Sequence, residues 1–240
     1  MDETATSLQN KEFAKRKILK YNFFKVDREW KVLQSEKKKE AIAEFIQIVE
    51  RHLSCIQMKF YSLVGIRADA DFMVWIIADE IEDIQKFYSE LNRSILGKYL
   101  ETTYAYTAMS RRSRYIAGHT HENQEGVSET RLQGNSKYLF VYPFVKKREW
   151  YKLPYKERLR MMAEHFKIGH KYPSVKINTG YSFGLDDQEF VLAFESDSLA
   201  DFLDLVEELR ESDASAYTLR DTPSFTCLAT EPEQLLMMLG

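Results

Sequence analysis

The chain has 240 residues, of which 44% are hydrophobic and 13% aromatic, enough to build a substantial buried core. Its 34 Lys and Arg and 37 Asp and Glu give a net charge of −3 with mixed signs, which argues against the broad basic surface of a nucleic-acid binder. We find neither a signal-like segment nor a run of 18 apolar residues, and therefore expect a soluble, cytoplasmic protein without a membrane span. Cys55 and Cys227 are too few for a disulfide scaffold, and both are expected to be buried free thiols.

Hydrophobic periodicity divides the first part of the chain into short strands and helices. In chain order the predicted elements are strand 18–26, helix 30–52, strands 55–65 and 71–78, helix 81–93 and strand 102–110. This β-α-β-β-α-β order is that of a ferredoxin-like unit.

The same order of elements is predicted a second time. The elements are strand 137–146, helix 154–170, strands 174–184 and 189–195, helix 198–210 and strand 224–229. We therefore predict an α+β fold in which duplicated ferredoxin-like repeats form a dimeric α+β barrel-type domain. The predicted divisions are a first repeat over 1–110, an inter-repeat loop over 111–136 and a second repeat over 137–240.

The two halves also share short motifs at an offset near 120 residues. An Arg-Glu-Trp motif at 28–30 recurs at 148–150, and the Tyr and Lys that bound 21–25 are matched to Tyr142 and Lys146. Packing alone can explain such residues in a duplicated fold. Residues four apart on a strand point the same way, however, so the second pair could also combine an oxidisable phenol with a carboxylate-binding cation.

One matched position differs in kind between the halves. An Ala-Glu pair precedes Phe45 in the first half and His165 in the second, and an imidazole can ligate a metal or move a proton. Met161, Met162 and Ile168 place His165 on or beside an apolar stripe of its helix. Two interpretations stay open: a core histidine bonded to a backbone carbonyl, or an axial haem ligand facing a pocket.

The second half resembles the chlorite dismutase-like haem protein superfamily, and most closely its coproheme decarboxylase group. The resemblance covers most of residues 137–227, and its specificity comes from the combined spacing of several motifs. These motifs are Tyr-x-x-Val-Tyr-Pro-Phe-Val-Lys at 138–146, Glu-Trp-Tyr at 149–151, the helical segment 157–165, Ile-Gly at 168–169, and segments 182–190, 208–210 and 213–215.

The resemblance implies an activity and three residues that carry it. The implied reaction is the peroxide-dependent oxidative removal of two propionate carboxyl groups from iron coproporphyrin, which yields haem b and makes the macrocycle both cofactor and substrate. His165 matches the axial iron ligand of the family. Tyr142 matches the tyrosine that is oxidised to a radical and attacks a propionate, and Lys146 matches the lysine near that propionate.

The resemblance also implies further contacts with the porphyrin and a mode of assembly. Trp150 matches an aromatic residue at the haem edge, while Arg210 and Ser215 fall where the family contacts another propionate. Asp213 lies near the position of a carboxylate that partners the axial histidine in some members. The family usually assembles as a homopentamer, so the expected partners are porphyrin, peroxide and further copies of this chain.

The sequence departs from the family pattern on the open side of the haem. Chlorite dismutases carry an arginine on the strand after the axial-ligand helix, and some decarboxylases carry a glutamine there. Segment 175–179 reads Val-Lys-Ile-Asn-Thr, so Ile177 or Asn178 occupies that site. His119 and His121 in the inter-repeat loop are candidates for a distal base, or are exposed loop histidines. The alternatives to a decarboxylase are a chlorite dismutase or peroxidase-like enzyme, and a haem-binding or haem-transfer protein without catalysis.

Overall fold

The computed structural model describes residues 16–111, 113–115 and 136–240, so the candidate distal bases His119 and His121 lie outside the described residues. The elements of the first half are β1 (Ile18–Val26), α1 (Arg28–Val32), α2 (Ser35–His52), β2 (Ile56–Ser62), β3 (Phe72–Ala78), α3 (Ile81–Arg93) and β4 (Leu100–Ser110). The elements of the second half are β5 (Tyr138–Lys146), α4 (Arg148–Lys152), α5 (Tyr155–Gly169), β6 (Lys176–Tyr181), β7 (Phe190–Ser196), α6 (Leu199–Glu211), β8 (Thr218–Arg220), β9 (Phe225–Ala229) and α7 (Pro232–Met238).

The predicted order of elements is confirmed, and the differences have local causes. The predicted helix 30–52 is broken between α1 and α2, because Leu33 adopts an extended conformation with φ −64° and ψ 141°. Helix α4 precedes the predicted helix 154–170 and was not predicted; the extended Leu153 separates it from α5, and the following Pro154 disfavours helical geometry for its predecessor. Strand β8 and helix α7 were not predicted, since three and seven residues are too few to show a period.

In the described ranges, the nine named strands pair antiparallel and belong to one continuous sheet. The strands run in the order β7-β6-β4-β1-β3-β2-β9-β5, and β5 also pairs with β7, so these eight strands close into a ring. β8 extends the sheet beside the end of β5. The two halves join where β4 pairs with β6 and where β2 pairs with β9. The predicted α+β fold with an antiparallel sheet is thus confirmed.

The inner face of the ring holds a core shared by both halves. Phe23 and Trp75 from the first half pack there with Val141 and Phe225 from the second, all of them buried. Helices α2, α3 and α7 cover the outer face of the first half, and α5 and α6 cover that of the second. Side chains alternate between these two faces along each strand, so strand register decides which residues reach the helices.

The two thiols occupy different environments. Cys227 is buried in the inner core of the ring, as predicted. The prediction for Cys55 was wrong, because this residue lies in the turn before β2 and is exposed. Among the described helices, none is both long and apolar enough to cross a membrane.

Candidate functional site

The packing between sheet and helices differs between the two halves. In the first half this layer holds one continuous cluster of buried side chains, which includes Trp30 and Phe45. In the second half the layer holds two separate clusters, one around Phe140 and Phe194 and the other around Trp150. Helix α2 buries five side chains, whereas α5 buries two. The apolar packing of the second half is therefore interrupted between its two clusters.

Tyr142 and Lys146 lie on the helix-facing side of β5, next to this interruption. β1 and β5 begin 120 residues apart, so the positions equivalent to Tyr142 and Lys146 are Asn22 and Val26. The matching of Tyr142 to Tyr21 was wrong by one residue, because Tyr21 is buried on the inner face of the ring. The first half therefore lacks both functional groups, and packing shared by the two repeats does not explain them.

His165 lies on α5, where the equivalent Phe45 of the first half is completely buried. The imidazole is half-buried, and burial, followed by the nearby Lys146 cation, lowers its pKa to about 4. The ring is therefore neutral at pH 7 and carries a free lone pair. In the part of the chain that the structure describes, the imidazole forms no hydrogen bond to a carbonyl, which disfavours the interpretation as a satisfied core histidine.

The ammonium group of Lys146 is a half-buried cation. It lies 4.1 Å from the centroid of the Trp150 ring and donates a hydrogen bond to the carbonyl oxygen of Ala214 at 3.4 Å. It forms no ion pair with any carboxylate in the described ranges. Burial lowers its pKa to about 8, while the more distant Glu189 opposes that shift. A desolvated cation of this kind favours an anionic ligand.

A buried carboxylate that the sequence did not single out fixes the end of β5. Glu189 accepts hydrogen bonds from the backbone N–H of Lys146 at 2.9 Å and the hydroxyl of Tyr151 at 2.5 Å. It also pairs with Arg148 at 3.2 Å. The sequence placed Glu189 at the start of predicted strand 189–195 and within motif 182–190, but its partners lie about forty residues away. Glu189 thereby holds the strand segment that carries Lys146.

The fold places Arg210 near enough to Tyr142 for its charge to act on the phenol. The Tyr142 ring stacks on Phe194 with centroids 5.8 Å apart. Burial raises the pKa of Tyr142, the Asp221 carboxylate raises it further, and the Arg210 guanidinium opposes both. Arg210 is itself paired with Asp221 at 2.5 Å. The predicted propionate contact therefore lies close enough to Tyr142 for their charges to interact.

The other predicted contacts occupy the neighbouring packing layer. Trp150 is buried and packs against Tyr217, with ring centroids 5.5 Å apart. Ser215 is half-buried in a short 3₁₀ turn over Asp213–Tyr217. The Asp213 carboxylate is exposed and pairs with Arg160 at 2.9 Å. Asp213 is thus engaged away from the imidazole that it was expected to support.

The structure decides which side chain of β6 faces the helix layer. Asn178 points into the ring and donates a hydrogen bond to the buried Glu195 carboxylate at 2.9 Å. Ile177 points the opposite way and packs with Phe194 in the helix-facing cluster. Of the two residues left open by the sequence, Ile177 therefore faces the candidate site and offers no polar group.

These features fit an iron porphyrin that carries carboxylates. A neutral imidazole is a suitable single iron ligand, and interrupted apolar packing suits a flat apolar macrocycle. A half-buried lysine and an arginine at the same layer suit its propionate groups. The fold and the donor set together define the class as a haem-type α+β protein with a closed antiparallel sheet.

Comparison with known proteins agrees with this class. The family model described as Chlorite dismutase matches residues 38–230. The chain is 38% identical over 180 residues to the coproheme decarboxylase of Mycolicibacterium smegmatis, with 75% of each sequence covered. The chain therefore belongs to the chlorite dismutase family.

Solved structures show the same architecture. The chlorite dismutase of Candidatus Nitrospira defluvii in complex with imidazole superposes with a TM-score of 0.84 at 27% identity, covering 92% of this chain and 94% of that chain. A haem-binding protein from Thermus thermophilus superposes with a TM-score of 0.81 at 23% identity, covering 93% and 94%. The second similarity shows a common fold.

Proposed function

We propose that this protein is a haem-dependent oxidoreductase that decarboxylates iron coproporphyrin with peroxide, in the manner of a coproheme decarboxylase. The main support from the structure is the interruption of apolar packing in the second half. Around that interruption lie Tyr142, Lys146 and His165, each replaced by a residue without its function in the first half. The similarity to a coproheme decarboxylase supports the same substrate.

His165 would hold the iron. Its ring is neutral at pH 7 because burial lowers its pKa to about 4, so protonation does not compete with ligation near neutrality. When bound, iron coproporphyrin supplies both the iron that activates peroxide and the propionates that lose carbon dioxide. Each carboxyl loss oxidises a propionate to a vinyl group and reduces one peroxide to two waters. The protein must therefore present two propionates to oxidation in turn.

Tyr142 and Lys146 would act on the propionates. The phenol hydrogen of Tyr142 is the group that can be given up to oxidation, and burial keeps the hydroxyl protonated by raising its pKa. Tyr142 and Lys146 lie four residues apart on one face of β5, so both side chains reach the layer between sheet and helices. Lys146 would hold a carboxylate by a charge-assisted hydrogen bond. Trp150 would position the ammonium group, and Arg210 and Ser215 would contact the second of the two propionates that are oxidised.

The proposal is tested by following the porphyrins directly. Purified protein is mixed with iron coproporphyrin, peroxide is added in steps, and the products are separated by chromatography and identified by mass spectrometry. We expect successive loss of two carboxyl groups and the use of two peroxides for each macrocycle. A bound porphyrin that keeps all four carboxyl groups would instead favour the haem-binding or haem-transfer alternative.

Chlorite conversion is expected to be negligible. An arginine suits a bent oxyanion because it donates two parallel hydrogen bonds, and the β6 residue that faces the site is Ile177. The measurement is oxygen evolution after chlorite is added to protein loaded with haem b, with loading verified by absorption. Rapid oxygen release would support the chlorite dismutase alternative and contradict this prediction.

Replacing Lys146 by Met is expected to stabilise the ligand-free protein at pH 7. The pKa of Lys146 falls from 10.5 in the unfolded chain to about 8 in the folded one, so burying the cation costs up to about 3 kcal/mol. The ammonium group also interacts favourably with the Trp150 ring and the Ala214 carbonyl, and the Met variant lacks both interactions. The net gain is therefore smaller, and about 1 kcal/mol is expected.

The pH dependence gives this prediction its sign. Between about pH 8 and 10.5 the folded parent binds fewer protons than the unfolded chain, so its free energy of unfolding rises with pH across that window. The Met variant should lack this contribution. Urea unfolding at pH 7 and pH 10 measures both quantities, and equal pH dependence in the two proteins would contradict the assignment. The exposed Lys31 replaced by Met serves as a control.

The similarity between the two halves of the chain supports finer proposals about architecture. We infer that the halves are duplicated ferredoxin-like repeats, divided as 1–110, 111–136 and 137–240, because both have the same element order at an offset of 120 residues. We also propose a homopentamer, which light scattering coupled to size-exclusion chromatography would test. The cytoplasmic location predicted from the sequence stays a prediction.

A further inference from the structure

The strand pairing beside Tyr142 is interrupted. β8 ends at Arg220 and β9 begins at Phe225, and both pair with β5. The four residues 221–224 between them leave the pairing where β5 carries Tyr142. A short irregular segment therefore replaces a regular strand next to the phenol.

The first residue of this segment holds the arginine of the site. The Asp221 carboxylate forms an ion pair with the Arg210 guanidinium, with nitrogen and oxygen 2.5 Å apart. The Asp221 side chain is 18% exposed and that of Arg210 58%, so the carboxylate lies on the inner side of the pair and the cation on the outer side. Burial is the main cause that raises the pKa of Tyr142, but Asp221 and Arg210 also act on it with opposite signs. Both charges therefore lie within electrostatic reach of the phenol.

We propose that Asp221 is an internal stand-in for a substrate carboxylate: it neutralises Arg210 beside Tyr142 in the ligand-free protein and competes with a propionate for that guanidinium. This inference rests on the proposed function of Arg210 and Tyr142. Asp221 is a positioning and specificity residue that acts through Arg210.

The competition has a direct consequence for substrate and product. A propionate that reaches Arg210 must either displace Asp221 or share the guanidinium with it, and the two carboxylates repel each other. After carbon dioxide leaves, the neutral vinyl group cannot pair with the guanidinium, and the ion pair between Arg210 and Asp221 forms again. Asp221 therefore lowers affinity for a macrocycle that places a carboxylate there, and leaves affinity for the decarboxylated macrocycle nearly unchanged.

The test is a comparison of binding. Asp221→Asn keeps the shape of the side chain and removes its charge, and Asp221→Ser removes both. We expect the dissociation constant for iron coproporphyrin to fall by about fivefold in each variant, the size of an ordinary solvent-accessible ion pair. Haem b, which carries vinyl groups in place of two propionates, should bind with a change of less than about twofold. Glu90→Gln, which removes the carboxylate paired with Arg51 in the first half, is the matched control.

A second comparison tests whether Asp221 acts through Arg210. In the Arg210→Met background the Asp221→Asn change should no longer alter coproporphyrin affinity, so the two substitutions are non-additive. An unchanged affinity in Asp221→Asn, an equal change for both porphyrins, or full additivity with Arg210→Met would overturn the proposal. These measurements need binding alone. Failure of the parent to decarboxylate would contradict the proposed function and leave the comparison decisive for Asp221.

Discussion

Tyr142→Phe is expected to bind iron coproporphyrin as the parent does and to release the first carboxyl group at least about a hundredfold more slowly. The substitution keeps the ring that stacks on Phe194 and removes only the hydroxyl. Without that hydroxyl the chain loses the hydrogen that the proposed oxidation takes from it. Because binding depends on His165 and the cations, the defect should appear in the rate constant of a single turnover and not in the dissociation constant.

The measurement separates chemistry from packing. Porphyrins are quenched at intervals after one equivalent of peroxide, and the fraction with three carboxyl groups is followed by chromatography. Tyr138→Phe is the matched control, since Tyr138 lies on the same face of β5 and packs in the same cluster. A parental rate for Tyr142→Phe would remove the phenol from the mechanism.

The fold could be predicted from the sequence because its elements are short and strongly periodic. β1 and α3 have the bounds that periodicity predicted, and Ser198 caps α6 by accepting a hydrogen bond from the Asp201 N–H at 3.1 Å. Periodicity does not say how strands from two halves join. The β4–β6 and β2–β9 pairs that close the ring each involve two register pairs, too few to leave a signal in the sequence.

The repeat register shows how motif similarity can mislead. Tyr21 and Tyr142 begin similar sequence motifs, yet Tyr21 faces the inside of the ring and Tyr142 faces the helices. A shift of one residue moves a strand side chain to the opposite face. Similar residue types hid that shift, and only the strand pairing revealed that Asn22 is the true counterpart of Tyr142. The functional asymmetry of the two halves is therefore larger than the sequence suggested.

The sequence indicated only part of the candidate site. His165 differed in chemistry from its counterpart Phe45 and could be noticed. The four-residue spacing on one strand face singled out Tyr142 and Lys146, and the resemblance assigned their roles. Glu189 and Asp221 were missed as site residues, because each acts on groups that are distant in sequence and neither belongs to a periodic pattern. Such carboxylates become visible only when their hydrogen-bond partners are known.

His165 is expected to determine whether iron is ligated at all. In His165→Phe, which copies Phe45 of the first half, iron coproporphyrin should lose its five-coordinate high-spin spectrum. Its affinity should fall by more than about tenfold, since even residues that only support a metal ligand contribute that much. The apoprotein should be at least as stable as the parent, because a phenyl ring replaces an imidazole without a hydrogen bond among the described residues.

A second variant distinguishes ligation from packing. His165→Gly leaves a space that free imidazole can enter, so adding imidazole to its iron coproporphyrin complex should restore the parental absorption and electron paramagnetic resonance spectra. The Phe variant fills the same space and should not respond, which controls for imidazole binding on the open side of the iron. If the spectrum were parental in both variants before imidazole was added, another residue would ligate the iron. The interrupted packing around His165 would then need a different occupant, since α5 buries fewer side chains than the equivalent α2 of the first half.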